Sequence, residues 1–128
     1  MGPVEKAIRQ NVTQGDVLHT PDKAKAAPFQ IEGLDNECIV FLIGRKKTRT
    51  PIPWGCLEGI PNFLRGKDWI PIGTVYDTHI DAGTLDGYLK QYIKRATAGW
   101  VAVVLGKAGL IEIDRTRPMH VRLIEEQS

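Results

Sequence analysis

Residues 77–81 read Asp-Thr-His-Ile-Asp and place two carboxylates and an imidazole at alternate positions. Alternate residues share one face of an extended strand, so Asp77, His79 and Asp81 have the chemistry of a metal site, and a hydrolase built on them would purify with stoichiometric metal. Three such ligands fall short of the four that structural zinc takes, and the competing reading is a plain acidic connector. Cys56 follows Trp54 and Gly55 near the expected start of a helix, where the helix dipole favours thiolate. No histidine partner is identifiable for it, so packing is expected rather than nucleophilic catalysis. His19, His79 and His120 lie in no catalytic phrase. Glu-x-Lys and Asp-x-Lys pairs, Walker loops and Gly-x-Gly-x-x-Gly are all absent. The expectation is a protein that is not an enzyme and carries no cofactor.

The second kind of chemistry is electrostatic. A net charge of +2 over 128 residues conceals a segmental pattern. Between residues 44 and 67, Arg45, Lys46, Lys47, Arg49, Arg65 and Lys67 face one acid, Glu58, for a balance of +5. Residues 68–86 hold four aspartates and no basic residue. Residues 90–122 return to +5, with Lys90, Lys94, Arg95, Lys107, Arg115, Arg117 and Arg122 against Glu112 and Asp114. Positive charge gathered into two blocks is what a polyanion-binding face requires, and a mixed solvated surface is the alternative.

These groups need elements to position them. At 42% apolar and 25% charged residues the composition is that of a globular chain, long enough for one domain or two small modules. Cys38 and Cys56 form no metal-ligand spacing and are expected reduced. Neither a membrane-length apolar run nor a signal-like start is visible, so a cytoplasmic location without membrane association is expected.

Val4, Ala7, Ile8 and Val12 recur on one side of a short helix over residues 4–11, ended by Gly15. Residues 28–32 and 37–43 are expected as strands joined by a turn, the second apolar on both faces and therefore central in a small sheet. Gly44 opens the basic loop 45–49, after which Thr50-Pro51-Ile52 resumes an extended path. Pro53 suits the first turn of a helix that holds Trp54, Leu57 and Ile60 inward, with Pro61 kinking or restarting it and Gly66 stopping it. Residues 68–80 form a connector, partly extended at 69–72.

Thr84 is a good N-cap, and Leu85, Tyr88, Leu89, Tyr92 and Ile93 follow at helical spacing, predicting a helix over 84–95. Residues 98–107 suit either a buried strand or a helix by periodicity alone. Gly109 after them can take the left-handed conformation that stops a helix. Leu110 and Ile113 can then plug the groove between the two helices.

From residue 84 onward the chain resembles the winged helix-turn-helix family of DNA-binding domains. Leu105-Gly106-Lys107-Ala108-Gly109-Leu110-Ile111 is similar to the phrase that ends that family's recognition helix, residues 115–118 to its basic wing and 119–124 to its returning strand. The resemblance implies that residues 84–95 are the first helix of the motif and 98–107 the recognition helix, with Ala98, Ala102 and Leu105 inward and Thr97, Gly99, Trp100 and Val103 nearer the DNA groove. It implies phosphate contacts from Lys94, Arg95 and Lys107, and wing contacts from Arg115, Thr116 and Arg117. One departure matters: that helix has no Arg, Asn or Gln to form bidentate base contacts, so affinity is expected mainly from phosphates. Trp100 either packs against the N-terminal module or seats on thymine methyls.

The expected fold class is α+β. A small antiparallel β-sheet module with one or two helices and the basic loop spans residues 1–68, followed by a winged helix-turn-helix over 69–128. The expected function is a double-stranded DNA-binding protein, a transcription regulator or a targeting module of a DNA-processing or defence system, with a homodimer as a compatible assembly. The loop residues Arg45, Lys46, Lys47 and Arg49 would supply a second DNA contact, or else a solvated hairpin end. The rival is a protein-interaction module on the same scaffold, docking through Trp100 and Val103 without DNA.

Overall fold

Apolar runs in residues 28–53 pair in sequence order. With a short leading strand they make a four-stranded antiparallel sheet of β1 (Val17–His19), β2 (Pro28–Leu34), β3 (Cys38–Ile43) and β4 (Thr48–Pro53), in that order. The computed structural model describes residues 1–21, 26–73, 83–93, 96–116 and 119–124. Strand β3 has a neighbour on each side, and Ile39, Val40 and Phe41 are successively buried, as a run apolar on both faces requires. The prolines of β4 alternate with buried Thr50 and Ile52 and sit on an edge strand, where a missing N–H costs no ladder bond. Three-residue β1 carries no periodic signal in the sequence.

Helix α1 (Pro3–Asn11) buries Val4 and Ile8, and Val12 follows on the same side. Two side-chain latches hold it down. The Glu58 carboxylate accepts hydrogen bonds from the free N–H groups of Val4 (3.1 Å) and Glu5 (2.8 Å), taking the place of an N-cap residue. At the other end Arg9 pairs with Glu5 at 2.8 Å, donates to the carbonyl of Asp35 and lies 5.1 Å from the Trp54 ring centre. Pro61 restarts the following helix, which divides into α2 (Trp54–Glu58) and α3 (Ile60–Leu64).

A second, three-stranded antiparallel sheet has the order β5 (Ile70–Pro71), β7 (His120–Leu123), β6 (Ile111–Asp114). Between β5 and β6 lie α4 (Leu85–Leu89) and α5 (Ala98–Lys107). The Thr84 side chain caps α4 by accepting from the Gly87 N–H at 3.0 Å. Helix α4 is shorter than the 84–95 expected. Gly87 weakens its interior, and after Lys90 it closes with tightened turns in which Gln91 and Tyr92 donate to carbonyls three residues back. Tyr92 is therefore exposed rather than part of a buried stripe.

Residues 98–107 take the helical of their two alternatives. Gly109, with φ +78°, ends α5 in a Schellman motif, in which Leu110 N–H donates to Leu105 C=O and Gly109 N–H to Gly106 C=O. That reversal sends the chain straight into β6, where Ile113 packs over Gly106.

The buried apolar side chains form one cluster, from Val4 and Ile8 through Ile31, Phe41 and Leu57 to Leu89, Leu105 and Val121. Residues on both sides of position 68 contribute to it. Each fully buried aliphatic or aromatic side chain adds roughly 1.5–3 kcal/mol of stabilisation. The architecture is α+β, with two antiparallel sheets and short helices on a shared core.

Candidate nucleic-acid interface

Among the described residues the most concentrated unengaged charge sits at the β3–β4 turn. Ile43 pairs with Thr48, so Gly44-Arg45-Lys46-Lys47 form a four-residue hairpin loop, closed by a 3.1 Å hydrogen bond from Lys47 N–H to Gly44 C=O. The reversal needs left-handed backbone at both ends, φ +78° at Gly44 and +48° at Lys47. Lysine tolerates that conformation poorly, so the strand pairing on either side holds it there. Arg45, Lys46 and Lys47 are exposed, and among the described residues their side chains form no ion pair or hydrogen bond. Arg49, expected in the same loop, instead lies within β4 and pairs with Glu32 at 3.3 Å. A bulge between Ile31 and Gly33 makes Glu32 the extra residue of β2.

The β6–β7 hairpin holds its charge differently. Arg122 pairs with Glu112 at 2.9 Å and Asp68 at 3.6 Å, and its guanidinium lies 4.5 Å from the Trp69 ring centre. Arg115 is exposed but donates to the Pro21 carbonyl at 3.4 Å. The Thr116 N–H and hydroxyl both donate to one oxygen of Asp114, at 3.0 and 2.6 Å. Lys107 at the end of α5 pairs with Asp16 at 3.3 Å, and Lys90 with Asp86 at 2.9 Å. The Asp16 carboxyl is held below its usual range by the Thr13 N–H first and Lys107 second. Lys94, Arg95 and Arg117 lie outside the described residues.

Helix α5 faces the interior over most of its surface. Ala98, Val101, Ala102, Val104 and Leu105 are buried, while Gly99, Trp100 and Val103 are half-buried. It contacts α1, β1, α4 and β6. This corrects one expected position. Thr97 is only 1% exposed and so is not on an open outward face, whereas Gly99 is half-buried with Pro21 nearby. The reason is tertiary: α1 and β1, some 80 residues earlier in the chain, lie against the helix. Trp100 is half-buried and packs against the shared core.

Trp100 also lines a concavity of about 300 Å³ between α5 and the basic hairpin, with Ile43, Gly44 and Thr48 opposite and Thr97 beside it. Thr97 stands at the N-cap of α5, yet its hydroxyl caps nothing. Among the described residues it has no hydrogen-bond partner. An unmet buried hydroxyl costs roughly 1–3 kcal/mol. No sequence signal marks this site, because its walls come from residues 43–50 and 96–100.

Among the described residues the groups with acid–base or metal chemistry are not assembled. Cys56 is buried, in line with the packing role expected of it, and desolvation pushes its thiol up to about 11, so the helix terminus does not favour thiolate there. Cys38 is also raised, by burial and then by the neighbouring Asp35 carboxylate. Burial raises the Tyr88 phenol, whose hydroxyl donates to the Cys56 carbonyl at 2.8 Å. Asp77, His79 and Asp81 lie outside the described residues, and no group of three metal-ligating side chains occurs among those described. Among the described residues no helix is long and apolar enough to cross a membrane.

No family model matches the chain, and no solved structure matches it. Over 67 residues it is 30% identical to "Antigenic protein P1" of Entamoeba histolytica, a match that takes in 52% of this chain and 6% of that protein. The chain thus spans a small fraction of the length of the curated protein it resembles.

Proposed function

We propose that the protein binds double-stranded DNA through phosphate contacts, with the β3–β4 turn as the principal contact and a winged helix-turn-helix as scaffold. One observation carries the reading: Arg45, Lys46 and Lys47 project together from a paired hairpin, without partners among the described residues. Free cations on a rigid support can each displace a counterion from DNA with little ordering cost. The scaffold reading is supported by the succession of α4, α5, a Schellman stop and the β6–β7 hairpin. The inward-facing α5 and its lack of Arg, Asn and Gln favour binding with little base selectivity. Arg115, Thr116, Arg117, Lys94, Arg95 and Lys107 are secondary contacts in this proposal. Such a protein serves as a regulator or as the targeting module of a larger DNA-processing system, and pairing of two copies on adjacent half-sites fits it.

The half-buried Trp100 and Val103 favour a second reading, a protein-docking module that never meets DNA. Titrating random-sequence duplex in a gel shift at two salt concentrations separates them. DNA binding gives retention that weakens as salt rises; no retention at either salt leaves the docking module.

A further inference from the structure

We infer that the concavity between Trp100 and the basic hairpin receives a single unstacked nucleobase, so that the protein prefers DNA in which one base is unpaired. The inference rests on the DNA-binding reading and adds a ligand to it. Three independent features of the site meet in this ligand. First, an indole stands at the wall of an open hollow lined largely by apolar atoms, and a base has a π-face to stack on it. Second, the Thr97 hydroxyl beside it is buried without a hydrogen-bond partner among the described residues. A base edge supplies donors and acceptors that this hydroxyl would meet once a side-chain rotation turns it from its covered position into the hollow, whereas a purely aliphatic occupant supplies none. Third, Gly44 forms part of the rim and leads directly into Arg45, Lys46 and Lys47. A base seated in the hollow carries phosphates on both sides of its sugar, and the adjacent cations complement them.

The volume supports one occupant. About 300 Å³ is room enough for a single purine or pyrimidine. Thr48 at the rim of the hollow is exposed, and among the described residues it offers a way in. A base already unpaired enters without the unpairing cost that a Watson–Crick partner imposes, and the preference follows from that difference.

The test is fluorescence anisotropy with two labelled duplexes of one sequence, fully paired or carrying one unopposed base. The intact protein should bind the second more tightly, by roughly tenfold or more. Trp100→Ala should lower affinity for the unopposed-base duplex by roughly five- to hundredfold, the range that loss of one stacking partner gives. Since Trp100 is half-buried, Thr48→Trp serves as a variant that fills the hollow from an exposed strand position and spares the core. It should abolish the preference while leaving binding to paired duplex intact. Equal binding of both duplexes by the intact protein, or a preference that survives Thr48→Trp, would overturn the base site and leave DNA binding standing. Failure to bind either duplex would remove both.

Discussion

Two hairpins of this molecule carry clustered basic residues, and those described differ in what they already touch. At the β3–β4 turn three consecutive cations are exposed and unengaged among the described residues. At β6–β7, Arg122 is tied to Glu112 and Asp68, and Arg115 reaches back to Pro21. A cation in an existing ion pair must give up that partner before it can neutralise a phosphate, so equal formal charge does not mean equal capacity to bind. The resemblance to winged domains directs attention to the second hairpin; the ion-pair geometry directs it to the first.

The sharpest way to break this comparison is charge reversal. Arg45→Glu/Lys46→Glu/Lys47→Glu should eliminate measurable duplex binding in an anisotropy titration and leave the thermal midpoint near that of the parent, since the three side chains hold nothing together. Binding that persists would place the contact elsewhere. On the second hairpin the pattern should invert. Gly109→Ala forces a side chain into the left-handed conformation that launches β6 and should destabilise by about 1 kcal/mol or more in urea unfolding. Arg122→Ala should cost less, roughly 0.2–1 kcal/mol, because its partners are exposed surface acids, and should leave duplex affinity unchanged. Smallest in effect, Glu112→Gln with Asp68→Asn frees Arg122 without altering the backbone. If engagement alone silences that cation, the salt slope should steepen by up to about 0.9. An unchanged slope would show that its position, and not its pairing, keeps it from DNA.

How much of this was legible in the sequence depended on how local each determinant is. The two-face apolar run of β3, the restart at Pro61, the Thr84 cap and the Gly109 stop are each set by a few adjacent residues, and their signals agree with the structure. The length of α4 was misjudged because a periodic stripe through Tyr92 says nothing of how Gly87 and the tightened turns after Lys90 end the helix. Ala98, Ala102 and Leu105 lie inward on α5 as expected, but the further burial of Thr97, Val101 and Val104 was not legible, for a different reason. The helix is apolar over most of its surface, and the distant α1 and β1 decide how much of it is covered. The basic loop was visible as charge, but its division into free Arg45–Lys47 and paired Arg49 depends on the bulge that sets Glu32 apart in β2. The hollow beside Trp100 was not legible at all, since it exists only where two remote segments meet.

The most direct measurement is the slope of log affinity for random-sequence duplex against log salt concentration, taken for the parent protein and for Arg45→Ala/Lys46→Ala/Lys47→Ala. Loss of three phosphate contacts should flatten the slope by roughly 2.7, at about 0.9 for each. Identical slopes for the two proteins, or a parent that binds no duplex at any salt, would contradict the assignment of this turn as the DNA contact.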